Sequence, residues 1–234
     1  MTFAELVQKV RDYTEVDSTV LTDSIVGSMI RDAELRIFRE VDADYTREYA
    51  TANLNIGSPY LDLPNAPGTS GTSTTRRSII VRSFLVYDNT TKTNSTAKDF
   101  LDKRDSTFIF EYNSTQATGL PKYYANWKET TLIMAPAPDK QYLVQLSYIY
   151  TPDALTSTNT TTYLSLNVPD LLFYATMQQA YEFLKGPMDM YKIYSDKYNG
   201  AIQSFALEQM GRRRRDEYMD GVPRVKIPSP SPNN

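Results

Sequence analysis

The 234-residue chain contains no cysteine and no histidine. Without cysteine there can be no disulfide, so stability has to come from packing or from assembly. The two absences also exclude cysteine and histidine nucleophiles, the Ser-His-Asp triad and nearly every zinc site. We therefore expect a protein without catalytic residues, cofactor or metal, which is not an enzyme.

Other signatures are missing as well. The sequence has no G-x-x-x-x-G-K-[ST] or G-x-G-x-x-G motif that could hold a phosphate. It has no run of about 18 apolar residues, the length that crosses a membrane. The opening "MTFAELVQKV" lacks the basic segment and apolar core of a secretory signal. We expect no membrane partner.

Charge is unevenly distributed along the chain. The net charge is −3, yet the last 24 residues carry a net charge of +3, which leaves about −6 for the rest. A mildly acidic body is not typical of a general DNA binder, because affinity for phosphate needs a basic surface.

Helical spacing marks the N-terminal segment. Thr2 and Glu5 stand at the spacing of a capping box, which predicts a first helix. A second helix is predicted to follow Thr22 or Asp23 and to end near Val41. Its apolar residues recur on one helical face: Val26, Met29, Ile30, Ala33 and Ile37.

Helical spacing returns near the C-terminus. Pro169 predicts the start of a third helix and Gly186 its end. This helix is apolar almost all round, which is typical of a central, buried helix. A fourth helix is predicted from about Met188 to Arg215. Its stripe is Tyr191, Tyr194, Tyr198, Ile202 and Phe205, continuing toward Met210.

The middle of the chain is predicted to be β-rich. Alternating or apolar runs indicate strands in "ATANLNI", "SPYLDLP", "SIIVRSFLVYD" and in three parts of "LPKYYANWKETTLIMAPAPDKQYLVQLSYIYTP". The segment "DFLDKRDSTFIFEYN" is interpreted as a short helix followed by extended chain. One face of the last strand should carry Tyr142, Val144, Leu146, Tyr148 and Tyr150.

The order of elements predicts an α+β fold. Two N-terminal and two C-terminal helices would form a four-helix-type bundle over residues 1–45 and 163–211. An antiparallel β-rich domain, residues 46–162, would be inserted between them. Residues 212–234 would form an extended C-terminal tail, because its prolines cannot continue a helix.

Two groups of acidic residues could suggest a hydrolase. They are Glu15, Asp17 and Asp23, and then Asp42 with Asp44. A glycosidase needs two carboxylates facing each other across a cleft, one of them with a raised pKa. Proximity in sequence does not establish that arrangement, and acidic residues at helix starts and turns are the more common explanation.

Tyrosine is abundant, with 18 in the chain. "PKYYANW" should place Tyr123, Ala125 and Trp127 on one strand face, where aromatic rings could stack on bases or sugars. Such platforms are interleaved with basic residues, and only Lys122 and Lys128 flank this one. Packing within the domain or against a neighbouring subunit is the preferred interpretation.

The run of four arginines near the C-terminus has three interpretations. It could bind nucleic acid, it could simply end a helix, or it could dock on a protein partner. Acidic residues follow directly and partly neutralise it, which favours docking or a helix end. The candidate docking residues are Arg212, Arg213, Arg214, Arg215, Tyr218, Val222, Pro223, Arg224, Val225 and Ile227.

The C-terminal half resembles a known family. "YIYTPDAL", "TNTTTYLSLNVPDLLFYATMQQAYEFLKG", "MDMYKIYSDKYNGAIQSF" and "RRRRDEYMDGVPR" together are similar to the head-to-tail adaptors of short-tailed bacteriophages, also called tail tubular protein A or gatekeeper-type connectors. The likeness is best over residues 140–225, and the "PDLL-Y" helix opening is its most recognisable element.

This resemblance implies a structural virion protein of the neck, assembled in the host cytoplasm. Its copies would form a twelvefold ring between the portal protein and the tail nozzle. DNA would pass through the channel without sequence-specific binding, and residues 212–234 would dock to the portal. Two alternatives stay open: a nucleic-acid-binding protein that uses the arginine run, and a carbohydrate-binding or hydrolysing tail protein.

Overall fold

A computed structural model of the protein describes residues 1–63, 78–88 and 98–213. The chain divides into two compact units. The first unit combines Met1–Asp44 with the chain from Ala154 onward, and the second is the continuous stretch Tyr45–Asp153. Within the described residues the fold is mixed α+β, with six α-helices and two sheets rich in antiparallel pairs.

The helices are α1 (Phe3–Thr14), α2 (Asp23–Glu40), α3 (Ser106–Tyr112), α4 (Tyr163–Asn167), α5 (Pro169–Phe183) and α6 (Met188–Arg213). The strands are β1 (Arg47–Asn53), β2 (Tyr60–Asp62), β3 (Ser78–Tyr87), β4 (Lys98–Phe100), β5 (Asp102–Lys103), β6 (Tyr123–Lys128), β7 (Thr131–Ala135) and β8 (Leu143–Tyr150).

The predicted starts of the first two helices are confirmed. Thr2 Oγ1 accepts a hydrogen bond from the Glu5 backbone N–H at 3.3 Å, and a Glu5 carboxylate oxygen accepts one from the Thr2 N–H at 2.8 Å. Thr22 is the N-cap of α2 and accepts from the Ile25 N–H. These bonds satisfy backbone donors that the first helical turn leaves without partners.

Helix α5 is the central helix of the first unit. It contacts α1, α2, α4 and α6, and its side chains are buried on nearly every side. Pro169 is its first residue, as predicted, where the missing N–H of proline costs no hydrogen bond. The short helix α4 just before it is capped by Thr162 and was not predicted.

Helix α6 packs along a seam that differs from the predicted stripe at both ends. Tyr194, Tyr198 and Phe205 are buried as expected, but Tyr191 and Met210 are exposed. The seam ends at buried Gln209 instead. With 3.6 residues per turn, Gln209 falls in line with Phe205, whereas Met210 turns toward the opposite side.

The second unit is built from two four-stranded sheets. The first has the strand order β1-β8-β3-β4 and the second β2-β7-β6-β5. The strands pair antiparallel, except that the short β5 runs parallel to β6. Three of the pairings, β1 with β8, β3 with β8 and β2 with β7, join strands that are far apart in sequence.

One apolar core lies between the two sheets. The predicted inner face of β8 is confirmed, with Tyr142, Val144, Leu146 and Tyr148 buried and Tyr150 packed against them. Phe84 of β3 and the β7 residues Leu132 and Met134 belong to the same cluster. The sheets therefore stack face to face, as two half-buried sheets must to cover their apolar sides.

The prediction for "DFLDKRDSTFIFEYN" has its elements in the wrong order. The extended strands β4 and β5 come first, and helix α3 follows. Asp105 starts the helix by accepting a 2.9 Å hydrogen bond from the Thr107 N–H, a strong N-cap signal. Ile109 of α3 is buried on the second sheet beside Ala125 and Ile133.

Candidate docking surfaces

The predicted docking residues lie at and beyond the end of α6. Arg212 and Arg213 are the last two residues of this helix. Arg214, Arg215, Tyr218, Val222, Pro223, Arg224, Val225 and Ile227 lie outside the described residues. Their role in docking stays a prediction, but the structure does show how the helix that carries them is held.

A polar network attaches the middle of α6 to the rest of its unit. The Tyr198 hydroxyl donates a 2.6 Å hydrogen bond to Glu40, and the Arg36 guanidinium lies 4.1 Å from the Tyr198 ring centroid. Arg36 also donates to Gln178 of α5 at 2.6 Å. Burial, and then the bond to Glu40, raise the pKa of Tyr198, so the phenol stays protonated and keeps donating.

A second attachment lies one turn before the end of α6. The side-chain oxygen of Gln209 accepts a 3.3 Å hydrogen bond from the Asp44 backbone N–H. Gln209 is buried, so this bond supplies a partner to a polar group that water does not reach. The point from which the C-terminal tail leaves the helix is therefore fixed within the first unit.

Glu34 is a buried carboxylate that joins distant parts of the first unit. It accepts hydrogen bonds from the Leu155 N–H at 3.1 Å and from the Thr162 hydroxyl at 3.2 Å. A nitrogen of Arg31 lies 3.6 Å away. Burial raises the pKa of Glu34, against the smaller lowering effects of these neighbours. Glu34 stands four residues after Ile30 and three before Ile37, so helical spacing places it beside the apolar face of α2.

The acidic residues near the start of the chain have structural partners. Asp17 accepts hydrogen bonds from the N–H and the hydroxyl of Thr19, and these bonds lower its pKa. Asp23 forms a 2.7 Å salt bridge with Arg11. A general acid needs a raised pKa. The lowered pKa of Asp17 is therefore that of a residue that stabilises a turn. Within the described ranges, no group of three acidic residues could hold a metal ion.

The second unit carries an exposed group of aromatic rings, here called the aromatic surface: Tyr60, Phe110 and Trp127. The Trp127 ring lies 5.4 Å from Phe110, edge to face, and 6.3 Å from Tyr60. The three side chains are 42–47% exposed. Large rings clustered at a surface are typical of protein interfaces, because they offer apolar area with few rotatable bonds.

Tyr123, the other ring that the sequence singled out, is packed inside its own unit. It meets Tyr112 and Phe108 of α3 edge to face at 4.9 and 5.2 Å, and Arg104 lies over it at 5.7 Å. The packing interpretation is confirmed for Tyr123. Ala125, between the two aromatic positions of β6, is buried under α3.

Tyr60 and Phe110 were not predicted as neighbours of Trp127. They come from β2 and α3, and only the register between β2 and β7, together with the packing of α3 on β6, brings them to Trp127. The aromatic side chains of Tyr60 and Phe110 were the one signal in the sequence that could have indicated this surface. Aromatic side chains outside an alternating apolar pattern are candidates for a contact surface.

Across the described residues, these surfaces offer rings, apolar side chains and charges to another molecule and do not gather reactive groups. In this part of the chain no helix combines the length and apolar character needed to cross a bilayer.

The family model described as SU10 adaptor protein matches residues 1–225. The chain therefore belongs to the SU10 adaptor protein family, a family of structural proteins of bacteriophages. Such an adaptor is a component of the virion neck and associates with other virion components such as the portal and the tail. No curated protein matches the chain.

Proposed function

We propose that this protein is a head-to-tail adaptor whose copies form a twelvefold ring between the portal protein and the tail nozzle. The ring continues the DNA channel, and DNA passes through it without sequence-specific binding. The protein has no enzymatic activity and assembles in the host cytoplasm. The observation that carries the proposal is the family match over residues 1–225, which spans both units.

The long helices of the first unit suit the ring body. We assign α1, α2, α5 and α6 to a four-helix-type bundle, residues 1–45 and 163–211, with residues 46–162 as an inserted β-rich domain. The contacts of α5 with the other three helices support this assignment. We assign the contacts between copies to the bundle and the contacts with other tail proteins to the β-rich domain.

The C-terminal tail, residues 212–234, is the proposed link to the portal. The family match continues past Arg213, where α6 ends, as far as residue 225. The bonds of Tyr198 and Gln209 give the tail a fixed point of departure. Each tail can bind weakly, because a closed ring multiplies the effective concentration of the other tails.

Removing residues 214–234 should leave both units folded and abolish attachment to the portal. The truncation keeps α6 as far as Arg213, so its circular dichroism should show folded helices and strands. A pull-down with assembled portal rings measures attachment. Attachment of the truncated protein at the level of the full chain would exclude residues 214–234 as the docking element.

Two tail variants separate the arginines from the residues that follow. One carries Arg214→Glu and Arg215→Glu, and the other carries Val225→Asp and Ile227→Asp. A variant with Ser229→Ala and Ser231→Ala serves as the control. Loss of portal binding in the first variant would assign the contact to the arginines, because charge reversal removes ionic contacts. Loss in the second would assign it to Val225 and Ile227, because a charge in an apolar contact is costly to bury.

Electron microscopy of the protein mixed with its portal tests the ring directly. The expected image is a ring with an open channel on the portal. Portal particles without added density, at protein concentrations where the pull-down is positive, would contradict the ring. A steep salt dependence of binding to short duplex DNA at physiological salt would instead favour the nucleic-acid alternative.

The aromatic surface of the second unit suits a contact with a neighbouring tail protein. Phe110 and Trp127 meet edge to face, which makes the surface a compact apolar cluster. Trp127→Ala with Phe110→Ala should weaken recruitment of the nozzle while leaving portal attachment unchanged. Both can be measured in the same pull-down.

A further inference from the structure

Helix α6 carries a stripe of side chains on its outer side, here called the outer stripe: Ile193, Lys197, Gly200, Ser204 and Leu207. With 3.6 residues per turn, these five positions fall within about 80° of arc round the helix. Ile193 is 45% exposed and Leu207 is 67% exposed, and the three residues between them are exposed as well. A helix face that meets only water is normally polar, so the two large apolar side chains indicate a face that another molecule covers.

The middle of the outer stripe is shaped for close approach. A Cβ added to Gly200 would meet no atom within 4 Å in the same copy. The Ser204 hydroxyl donates a 3.0 Å hydrogen bond to the Gly200 carbonyl, so it lies against its own helix. Between Ile193 and Leu207 these two small residues leave a shallow depression, into which a large side chain of another helix can fit.

The positive charge of the outer stripe belongs to Lys197. Its ammonium lies 5.5 Å from the ring centroid of Tyr194 and 5.7 Å from that of Tyr174. These two contacts hold the charge beside the stripe, near the outer limit of about 6 Å for a cation–π contact. The stripe therefore combines apolar area, a depression and one positive charge.

A groove with the complementary character lies between the first half of α2 and the last turns of α5, here called the α2–α5 groove. Its apolar lining is Ile25, Met29 and Phe183, and it holds a cavity of about 360 Å³. Met29 is buried, whereas Phe183 is 49% exposed. An apolar groove between two helices, with a large side chain exposed at its edge, is a form that accepts a third helix.

The rim of the α2–α5 groove is acidic. Asp32 of α2 and Glu182 of α5 line it, and both are exposed. Neither carboxylate takes part in a salt bridge within the ranges that the structure describes. Two negative charges beside apolar area favour an apolar partner that carries a positive charge, as the outer stripe does.

The outer stripe does not reach the groove of its own copy. The buried seam of α6 faces α5 and α2, because Gln178 donates to the Tyr194 carbonyl and the Tyr198 hydroxyl donates to Glu40. The outer stripe is centred about 120° round the helix from that seam, so it faces away from both helices. Stripe and groove therefore lie on different sides of the first unit.

We infer that in the assembled ring the outer stripe of α6 in one copy docks into the α2–α5 groove of the next copy. Phe183 fits over Gly200, in the depression between the two apolar ends of the stripe. Lys197 faces Asp32 and Glu182. The contact joins two different surfaces, so it repeats head to tail and can close into a ring.

The inference rests on the proposed ring and sharpens it by naming the contact between copies. It places that contact in the middle of α6 and leaves the end of this helix, with the tail, to the portal. It also gives a reason for Gly200, since glycine weakens an exposed helix but allows a neighbouring one to approach closely.

Disulfide trapping tests the contact, since the chain has no natural cysteine. The variant Ser28→Cys with Ser204→Cys places one thiol beside the groove and one in the stripe. Within one copy the two thiols cannot join. Ser28 lies about 18 Å along α2 from Glu40, and α6 meets Glu40 already at Tyr198. Under mild oxidation, the protein on portal rings should give a ladder of linked copies longer than a dimer.

The controls for trapping change one position at a time. Each single variant, Ser28→Cys or Ser204→Cys, should give no species longer than a dimer. Ser28→Cys with Asn199→Cys moves the second thiol to an exposed position on another side of α6 and should give no ladder. A ladder of equal yield from this control would overturn the assigned stripe.

A larger side chain in the depression provides a second readout. Gly200→Leu meets open space within the copy, so its urea midpoint should not fall. The same side chain blocks Phe183 of the next copy, so the ladder should be lost. Asn199→Leu adds leucine to another side of α6 and should keep the ladder. An undiminished ladder in Gly200→Leu would overturn the assigned contact.

A charge reversal tests the ionic part of the contact. Lys197→Glu should reduce the yield of ladder about tenfold, the effect of roughly 1.4 kcal/mol. Adding Asp32→Lys and Glu182→Lys should restore the yield, which a merely misfolded variant would not show. Failure of these two changes to restore it would remove Lys197 from the contact with the acidic rim.

The outcomes separate this inference from the proposed function. Rings on the portal in electron micrographs, without a ladder from the Ser28→Cys and Ser204→Cys variant, would overturn the inference and leave the adaptor function standing. A ladder from the concentrated protein alone, without any ring on the portal, would support the contact between copies and contradict the adaptor function. Neither ladder nor ring would overturn both.

Discussion

The two units of this protein are held together in different ways. The first is assembled from two segments that are distant in sequence, and buried polar groups join them, such as Glu34 with Leu155 and Tyr198 with Glu40. The second is one continuous stretch with an apolar core between two sheets. The difference suggests that the first unit uses polar contacts to specify which segments meet, because an unpaired buried polar group is costly.

Each unit has both buried and exposed aromatic side chains. In the first unit Tyr194 and Tyr198 are buried in the seam of α6, whereas Phe183 is 49% exposed. In the second unit Phe84 is buried in the core, whereas Phe110 and Trp127 remain about half exposed. The place of each ring in the tertiary structure decides whether it packs internally, which the residue count alone does not reveal.

The largest expected effect is a cavity in the core of the second unit. Phe84→Ala should lower the free energy of unfolding by about 3–5 kcal/mol, from lost burial and an unfilled cavity. Phe84 is fully buried between the sheets, whereas Phe100 on the neighbouring strand is 49% exposed. Denaturant unfolding followed by Trp127 fluorescence measures this unit, since Trp127 is the only tryptophan.

Phe100→Ala is the matched control, because it removes the same side chain from a largely exposed position. Its effect should be a small part of that of Phe84→Ala. Equal losses for the two variants would contradict an apolar core as the main source of stability in this unit.

A smaller effect is expected when the polar link of the first unit is broken. Glu34→Ala leaves the Leu155 N–H buried without its acceptor, which should cost about 1–3 kcal/mol. Glu34→Gln keeps a side-chain oxygen for that bond and should be nearly neutral. Helical circular dichroism during urea unfolding measures the difference. Equal stability of the Glu34→Ala and Glu34→Gln variants would contradict the claim that Glu34 stabilises the first unit through this bond.

The free energy of unfolding of the first unit should fall as the pH rises, because the pKa of Glu34 is raised. Burial raises its pKa above the ordinary value of 4.5, so the folded state binds the proton more tightly than the unfolded state. This stabilisation is complete below pH 4.5 and is lost as the pH rises through the raised folded pKa. Urea midpoints measured across this range should show the dependence in the natural protein and not in Glu34→Gln.

The smallest effect is expected at the start of α3, and its pH dependence has the opposite sign. Hydrogen bonds from Thr107 lower the pKa of Asp105 below its ordinary value of 3.8. Its stabilisation is therefore present above pH 3.8 and is lost as the pH falls through the lower folded pKa. Asp105→Ala should loosen α3 and shift Trp127 emission, because Phe110 of α3 touches Trp127.

Asp105→Asn is the control for that change, since asparagine also caps helices but carries no charge. It should keep the emission of the natural protein and lose the pH dependence. A shift of the same size in both variants would show that the charge of Asp105, and not its cap, holds the helix.

Local patterns in the sequence predicted most of the elements. The capping box of Thr2 and the inner face of β8 were both predicted and confirmed. The predicted order of elements over residues 98–112 was wrong, because the N-cap Asp105 places the helix after the strands. The tail residues from Arg214 onward are known only from the sequence, and their docking role stays a prediction.

By itself the sequence determined that the protein has no cysteine or histidine chemistry, that helices flank a β-rich middle, and that a proline-bearing tail follows α6. These are properties of residue types and of short-range spacing. Only the tertiary structure decided that Glu34 meets Leu155, that Gln209 and not Met210 ends the seam of α6, and that Tyr60 lies beside Trp127. Such neighbours depend on strand register and on how segments far apart in the chain pack, which local periodicity does not encode.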